Sequence, residues 1–325
     1  MALYWVTGAA GFIGHRVSQL LCDAGHSVVG LDNLNDSYDP SIKDWRLGQL
    51  RACEGFKFAR QDICDFAGVE ALAQAHGRPE AIIHLAARAG VRQSVIDPWI
   101  YLETNSGGTL NLLELCQRQG VKKFIMASTS SIYGANPPLP TPEEADSSHP
   151  LQSYAASKKG AEAMCHVYHH LYGLDATILR FFTVYGPAGR PDMVMFRFVQ
   201  WIAEGRPVKI TGDGEQMRGF TYVDDIARGV FSALKPVGYE IINLGGHECI
   251  SINDLLHKIE ERLGKRAVVE YIERNPADVD QNWADVSKAR RLLGWEPQVT
   301  LDEGISRLVD WYQRERAWAS QIKTT

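Results

Sequence analysis

The segment YWVTGAAGFIG constrains this chain more than any other: an apolar run enters three spaced glycines, Gly8, Gly11 and Gly14, and leaves as an amphipathic stretch. Glycines at such a junction permit a tight turn, bring backbone N–H groups close to a pyrophosphate and let the helix pack tightly, with the anion at the helix N-terminus. Taken alone, three glycines also suit an ordinary turn. The next apolar run, however, ends VVGLDNL and places Asp32 18 residues beyond Gly14, near the spacing of about 20 for an acid that binds an adenosine ribose. A carboxylate there repels a 2′-phosphate, which favours NAD over NADP.

The same rhythm continues. Strands are predicted at Leu3–Thr7, Ser27–Leu31, Phe56–Arg60, Ala81–Leu85, Phe124–Ser128 and Ala176–Arg180, and helices at about Gly11–Ala24, Ile42–Ala52, Phe66–His76, Pro98–Gln119 and Ser153–Tyr172. Strands as apolar as IIHLAA and KFIMAS need cover on both faces, and parallel strands need helical crossovers. The expected fold class is therefore α/β, a doubly wound, Rossmann-like parallel sheet. Beyond Arg180, Gly and Pro punctuation sets in (YGPAGRP, EGRPV, TGDGEQ). Strands are predicted there only near Val208–Ile210, Glu240–Asn243 and Val268–Tyr271, and helices at Val194–Glu204, Val223–Leu234, Ile252–Leu263 and Leu301 to about Ala319. Thr300 and Glu303 have capping-box spacing. We expect an NAD-binding domain over residues 1–180, with return segments around 220–262, and a smaller α/β lobe over 181–325, the ligand lying between them at the carboxyl ends of the strands.

Composition removes several function classes. With 325 residues, 45% hydrophobic and 22% charged, the chain has a core to bury. A net charge of -5 offers no global attraction to nucleic acid or an anionic membrane. No apolar run approaches the roughly 20 residues of a membrane helix, and MALYWVTG lacks the basic start and apolar stretch of a signal peptide, so a cytoplasmic location is expected. Six cysteines without a C-x-x-C pair indicate neither a disulfide framework nor a zinc site, and read as buried free thiols. His166, His169 and His170 cluster on one predicted helix, but without a third ligand for the His166/His170 pair they read as a solvated or interface face, and no metal is expected.

The spacing G-x-x-G-x-x-G, with HLAA (His84–Ala87), STSSIYG (Ser128–Gly134) and YAASK (Tyr154–Lys158), resembles the extended short-chain dehydrogenase/reductase family along nearly the whole chain. Within it, LDNLNDSYD, AGVR, RFFTVYGPAGRPDM and FTYVDD are most similar to the UDP-glucuronate 4-epimerases. The resemblance implies NAD held by Gly8, Gly11, Phe12, Ile13, Gly14, Asp32, Asn33, Asn35, Asp62, Ile63, Leu85, Ala86, Ala87, Asn105, Tyr154 and Lys158. It implies Thr129, Tyr154 and Lys158 as the catalytic set; Tyr154 and Lys158, four residues apart, share one helical face. A phenol with a pKa near 10 is a poor base, and Lys158 and an oxidised nicotinamide are expected to lower that value.

A nucleotide-sugar substrate, a UDP-uronate, is implied as well, with Arg92, Ser130, Ser131, Thr183, Arg190, Arg218 and Asp278 as contacts. Guanidinium groups bind phosphate or carboxylate bidentately, so Arg218 is expected at the diphosphate and Asp278 at the nucleotide ribose. Hydroxyls of Thr129, Ser130, Ser131 and Thr183 are expected around the uronate carboxylate. Ser130 and Ser131 occupy the positions where related 4,6-dehydratases carry Asp-Glu, which disfavours dehydration. Two departures stand out. Arg218-Gly219-Phe220 replaces the usual R-D-F and leaves the orientation of Arg218 open, and His15 follows the last glycine where Ser is common. His15 is expected on the helix surface or beside the diphosphate, without catalytic duty. The implied reaction converts UDP-glucuronate to UDP-galacturonate through a 4-keto sugar. UDP-glucose 4-epimerisation, UDP-glucuronate decarboxylation and a catalytically silent NAD-binding regulator are the alternatives. Pro98–Gln119 and Ser153–Tyr172 correspond to the helices that pair across the family's dimer, so a homodimer is expected.

Overall fold

In the computed structural model, which describes residues 1–246, 248–273 and 279–324, the β-branched and aromatic runs of the first half lie side by side as buried strands. They are β1 (Leu3–Thr7), β2 (Ser27–Asp32), β3 (Phe56–Arg60), β4 (Ala81–His84), β5 (Lys123–Thr129) and β6 (Asp175–Phe181). A later strand, Tyr239–Leu244, joins β6 to complete a seven-stranded sheet in the order Tyr239–Leu244, β6, β5, β4, β1, β2, β3. Every pairing in it is parallel. Leu112, Leu113, Cys116, Ala161 and Cys165 close one face, and Val17, Leu21, Ile226 and Val230 the other. This is the doubly wound α/β architecture expected from the sequence.

The strand order reverses between β1 and β4, so a crevice opens where these two strands end, at Thr7 and His84. Fully buried His84 fastens that edge, its ring lying 2.8 Å from Thr7 Oγ1 and 3.0 Å from Thr109 Oγ1. Thr109 gives its own proton to the Asn105 carbonyl, 2.5 Å away, so His84 Nε2 donates and Nδ1 accepts. Burial holds the ring neutral, well below the usual histidine pKa.

The second half builds two small sheets. Met217–Tyr222 runs antiparallel to Glu248–Ser251 and parallel to Gln281–Asn282 and Thr183–Tyr185. Val208–Thr211 pairs with Val269–Ile272. Helices Val194–Ala203, Ile252–Leu263 and Leu301–Ala319 cover them around Phe196, Phe198, Leu255, Ile305 and Leu308. The Thr300 hydroxyl accepts from the Glu303 N–H at 3.3 Å, capping the last helix as its spacing predicted.

Two expectations need correction. Thr183–Tyr185, Met217–Tyr222, Glu248–Ser251 and Gln281–Asn282 are strands the sequence did not reveal, because each is short and takes its partners from distant segments. Pro98–Gln119 is not one helix: a π-helical turn at Leu102–Gly107 separates Pro98–Tyr101 from Gly108–Gln119. Its cause is tertiary, since Asn105 and Ser106 within that turn bond to Arg88 and Ser157. No helix among the described residues is long and apolar enough to cross a membrane, and all six cysteines are free.

Candidate active site

At the end of β1 the backbone turns through Gly8 at φ 71°. A Cβ there would lie 2.8 Å from the Ala86 nitrogen and 2.9 Å from the Leu85 carbonyl carbon. Gly11 N donates to Gly8 O at 2.9 Å, and a Cβ on Gly14 would meet the same oxygen at 2.0 Å. Helix Phe12–Asp23 starts here, with Phe12 and Ile13 in its first turn, no acid there and no side-chain cap. A cradle that any Cβ would fill, at the head of an uncapped helix, fits a dinucleotide pyrophosphate.

Asp32 ends β2 and is buried; its carboxylate accepts from Ala10 N at 3.2 Å and from Leu34 N at 2.8 Å. Asn33 Nδ2 donates to Asp62 Oδ2 at 2.8 Å, while Asn35 N and Nδ2 donate to Asn33 Oδ1 at 3.1 and 2.9 Å. Burial opposes ionisation of Asp62, but bonds from Asn33 and Cys64 hold its carboxyl below the usual range. Ile63 is buried under Gly108, and Leu85, Ala86 and Ala87 lead from β4 past the glycine turn. These side chains and the glycines gather around one crevice.

Asn105 is another of the expected cofactor contacts. It is wholly buried, and its amide accepts from Arg88 N at 2.8 Å and donates to Arg88 O and Ser157 Oγ at 3.0 Å each. Both ends of the amide are engaged in shaping the segment after β4.

On helix Ser153–Tyr172, Tyr154 faces Tyr101 edge-on at 6.2 Å, and Lys158 is buried one turn further on. Burial raises the Tyr154 phenol above its ordinary value, against the lowering pull of the Thr129 hydroxyl and the Arg190 charge. The expected lowering involves an oxidised nicotinamide together with Lys158; in the protein chain itself desolvation dominates, and Arg190 is the cation that pulls the phenol down. Burial also pushes Lys158 down to about 8, with Cys165 and Glu162 opposing.

Thr129 caps the 3-10 turn Ser130–Tyr133: its hydroxyl accepts from Ser131 N at 3.1 Å and donates to Ser131 Oγ at 3.2 Å. Ser130 Oγ accepts from Asn282 Nδ2 at 3.0 Å. Thr183 sits beside Phe220 in register, and exposed Arg92 precedes the short helix Gln93–Ile96. Arg190 is held by Asp192, Nε to Oδ1 at 3.1 Å, and by Ala89 O at 3.4 Å. Arg218 donates to Met217 O at 2.8 Å, Asp280 O at 3.1 Å and Val279 O at 2.7 Å, so backbone carbonyls hold the guanidinium that an acid was expected to orient. Residue 219 is glycine for a steric reason: a Cβ there would lie 2.6 Å from Gly246 Cα. Asp278 lies outside the described residues.

His15 is buried rather than on the helix surface, edge-on to Trp45 at 6.1 Å. Burial, then the charges of Arg46 and Arg16, push its pKa down to about 3. His166 and His170 stack at 6.5 Å, and His166 also packs edge-on against Tyr239.

Sequence reasoning missed a buried ion pair beneath Thr129 and Lys158. Arg180 meets Glu162 through two bonds, Nε–Oε1 at 3.0 Å and Nη2–Oε2 at 2.8 Å, both side chains being 2% exposed. Ser128 Oγ donates to Glu162 Oε1 at 2.6 Å and Arg180 Nη1 to Tyr133 Oη at 3.0 Å. The available signal was Glu162 lying four residues beyond Lys158, on the same helical face. Arg46 and Lys43 were missed too; Lys43 Nζ donates to Asn35 O at 2.7 Å.

With this geometry in view, comparison with known proteins is informative. A UDP-glucuronate 4-epimerase of Thermodesulfobacterium geofontis is 53% identical over 325 residues, spanning 99% of this chain and all of that protein. The crystal structure of UDP-glucuronic acid 4-epimerase from Bacillus cereus with UDP-glucuronic acid and NAD superposes with a TM-score of 0.89 at 37% identity, covering 96% of this chain and 99% of that one. A UDP-glucose 4-epimerase from Thermotoga maritima with UDP-glucose reaches 0.90 at 35% identity, covering 97% and 99%; the backbone alone thus does not distinguish uronate from neutral sugar. The profile described as NAD dependent epimerase/dehydratase family matches residues 4–245. With that match over most of its length and a full-length relative at such identity, the chain belongs to the NAD dependent epimerase/dehydratase family.

Proposed function

We propose that this chain is a UDP-sugar 4-epimerase that holds NAD and interconverts UDP-glucuronate and UDP-galacturonate. The observation that carries the reading is the Thr129 hydroxyl, bonded to Ser131 and acting on the Tyr154 phenol, in a chain 53% identical to a UDP-glucuronate 4-epimerase. Residues 1–180 with strand Tyr239–Leu244 form the NAD half, and 181–325 are mainly the sugar-nucleotide lobe. Gly8, Gly11, Gly14 and the first helical turn would hold the pyrophosphate, Asp32 the adenosine ribose, and Lys158 the nicotinamide ribose. When bound, NAD supplies a reversible acceptor for the hydrogen on sugar C4.

Tyr154 removes the proton of the C4 hydroxyl, with Thr129 bonded to the same oxygen, and gives it back after the 4-keto sugar has turned. Turning requires that the grip lie in the nucleotide and diphosphate, at Arg218, Arg190 and Asp278, while contacts to the ring stay interchangeable. The 4-keto uronate is a β-keto acid, which loses carbon dioxide when its carboxylate bond aligns with the carbonyl π system. Hydroxyls of Thr129, Ser130, Ser131 and Thr183 hold the carboxylate out of that alignment.

Incubation of the purified protein with UDP-glucuronate and no added cofactor, followed by NMR, tests this. UDP-galacturonate supports the reading, a UDP-pentose replaces it with decarboxylation, and turnover of UDP-glucose alone replaces it with neutral-sugar epimerisation. Inertness to both UDP-glucuronate and UDP-glucose leaves an NAD-binding regulator.

The enzyme is a cytoplasmic homodimer in this reading. Its six free cysteines suit a reducing compartment. Val95, Ile96, Trp99, Met164, Val167 and Leu171 are exposed on or beside the two helical segments expected to pair, an apolar surface of the kind subunits cover. Light scattering showing only monomer at micromolar concentration rejects the dimer.

A further inference from the structure

Arg46 and Arg180 are the two arginines among the largest fully buried side chains. Arg180 is neutralised by Glu162. Arg46 meets no carboxylate among the described residues; each of its nitrogens donates to a neutral oxygen. Nε reaches Ala188 O at 3.0 Å, Nη2 reaches Ala188 O at 2.7 Å and Gly189 O at 3.1 Å, and Nη1 reaches Ala10 O at 3.1 Å and Tyr38 Oη at 2.8 Å. Hydrogen bonds satisfy its donors but leave a net charge in a site where charges are ordinarily paired.

The carbonyls it grips belong to two functional loops. Ala10 lies within the glycine turn, while Ala188 and Gly189 immediately precede Arg190. Ala188 is left-handed at φ 51°, a conformation unfavourable for a non-glycine residue, and its carbonyl takes two bonds from Arg46. Strain of this kind persists only where surrounding contacts impose it. The guanidinium also lies 5.8 Å from the Phe12 ring centre, against the first residue of the helix that heads the pyrophosphate cradle.

We propose that Arg46 is a positioning residue that joins the two binding sites: its unpaired charge backs the glycine turn where an anionic dinucleotide sits, and its fork sets the backbone that aims Arg190. The sugar side of this inference rests on Arg190 as a sugar-nucleotide contact. Charge acts over distance, whereas the fork acts only through its planar geometry, so the two duties separate on substitution. Lysine keeps the charge and loses the fork; methionine keeps only volume.

Arg46→Met, Arg46→Lys and Ala188→Gly, purified without added NAD, are read for NAD released per subunit on denaturation and for the KM of UDP-glucuronate. Arg46→Met is expected to lose most of its NAD. Arg46→Lys is expected to keep it while KM rises about 10-fold, the loss of one or two hydrogen bonds to a charged group. Ala188→Gly should keep its NAD and raise KM by relaxing the loop. Full NAD and unchanged KM in Arg46→Met overturn the proposal, as does an Arg46→Lys protein that loses NAD or keeps its KM. Should Arg46→Met not fold, Arg46→Lys settles the matter by the same readings: lost NAD or an unchanged KM in that variant overturns the proposal. Arg190→Ala is the control: an unaltered KM there removes the sugar-side reading while the NAD arm still stands or falls by itself.

Discussion

The two walls of the cleft are built on opposite plans. On the dinucleotide wall, polar side chains are already bonded to the protein: Asp32 to Ala10 and Leu34, Asp62 to Asn33 and Cys64, Asn105 to Arg88 and Ser157. Glycines whose Cβ would strike backbone fill the remaining space. On the sugar wall, small hydroxyls and partly exposed arginines lean on backbone carbonyls or on one another, as Arg218 does on Val279 and Asp280, and Thr129 on Ser131. A resident cofactor needs one pose, which a saturated rigid wall supplies. A sugar that must present both faces needs a wall whose donors can change partners.

The sharpest way to break this contrast is Tyr154→Phe. Loss of a positioned proton carrier should lower kcat by about 1000-fold, with NAD content per subunit unchanged. If NAD is lost in parallel, the phenol belongs to the cofactor wall and the contrast fails at its centre.

Glu162→Gln probes the foundation beneath both walls. It leaves Arg180 charged, buried and without its partner, and should lower the unfolding free energy in urea by about 3 to 5 kcal/mol. Pairing it with Arg180→Met should recover part of the loss. A Glu162→Gln protein as stable as the parent shows that the pair adds nothing beneath the site.

A smaller effect is expected at Thr183→Ala, which removes one proposed carboxylate donor. KM for UDP-glucuronate should rise about fivefold, the worth of one hydrogen bond near 1 kcal/mol, with UDP-glucose unaffected and some UDP-pentose visible by NMR. Equal effects on both sugars place Thr183 elsewhere than at the carboxylate.

The least effect is on pH dependence. Lys158 in the folded protein sits at about 8, below its ordinary 10.5, because burial disfavours the cation. Between those values the unfolded chain binds the extra proton, so wild-type stability rises with pH there, and below 8 the buried charge is a constant penalty. Thermal melts of wild type and Lys158→Met between pH 7 and 9.5 should show wild type gaining on the variant as pH rises. A pH-independent difference means Lys158 does not titrate in that window.

Much of the dinucleotide half was legible in the residues. Period-two and continuous apolar runs mark β1 to β6, and Phe66–His76 and Ser153–Tyr172 coincide with their predicted spans. Gly8, Gly11, Gly14 and Asp32 are joined by short stretches of chain, so their spacing alone places them together. The sugar half was less legible. Met217–Tyr222 is a strand because Glu248–Ser251, Gln281–Asn282 and Thr183–Tyr185 reach it from far along the chain, and none of those segments carries a run long enough to announce itself. Around Tyr154, likewise, the neighbour at i+4 was visible, whereas the burial and Arg190 that shift its phenol come from elsewhere in the fold.

By itself, then, the order of residues determined what is encoded locally: the alternation of strand and helix, the glycine turn with its acid, and a tyrosine and lysine on one helical face. Those features depend on contacts within a few residues, where side-chain periodicity and backbone preference act directly. Only tertiary structure decided that Arg180 meets Glu162 while Arg46, among the described residues, meets neutral oxygens, that Asn105 shapes a loop, and that backbone carbonyls accept from Arg218. Burial and the pairing of charges depend on what the fold brings in from other elements, 18 residues away for Glu162 and 142 for Ala188, which no local pattern contains.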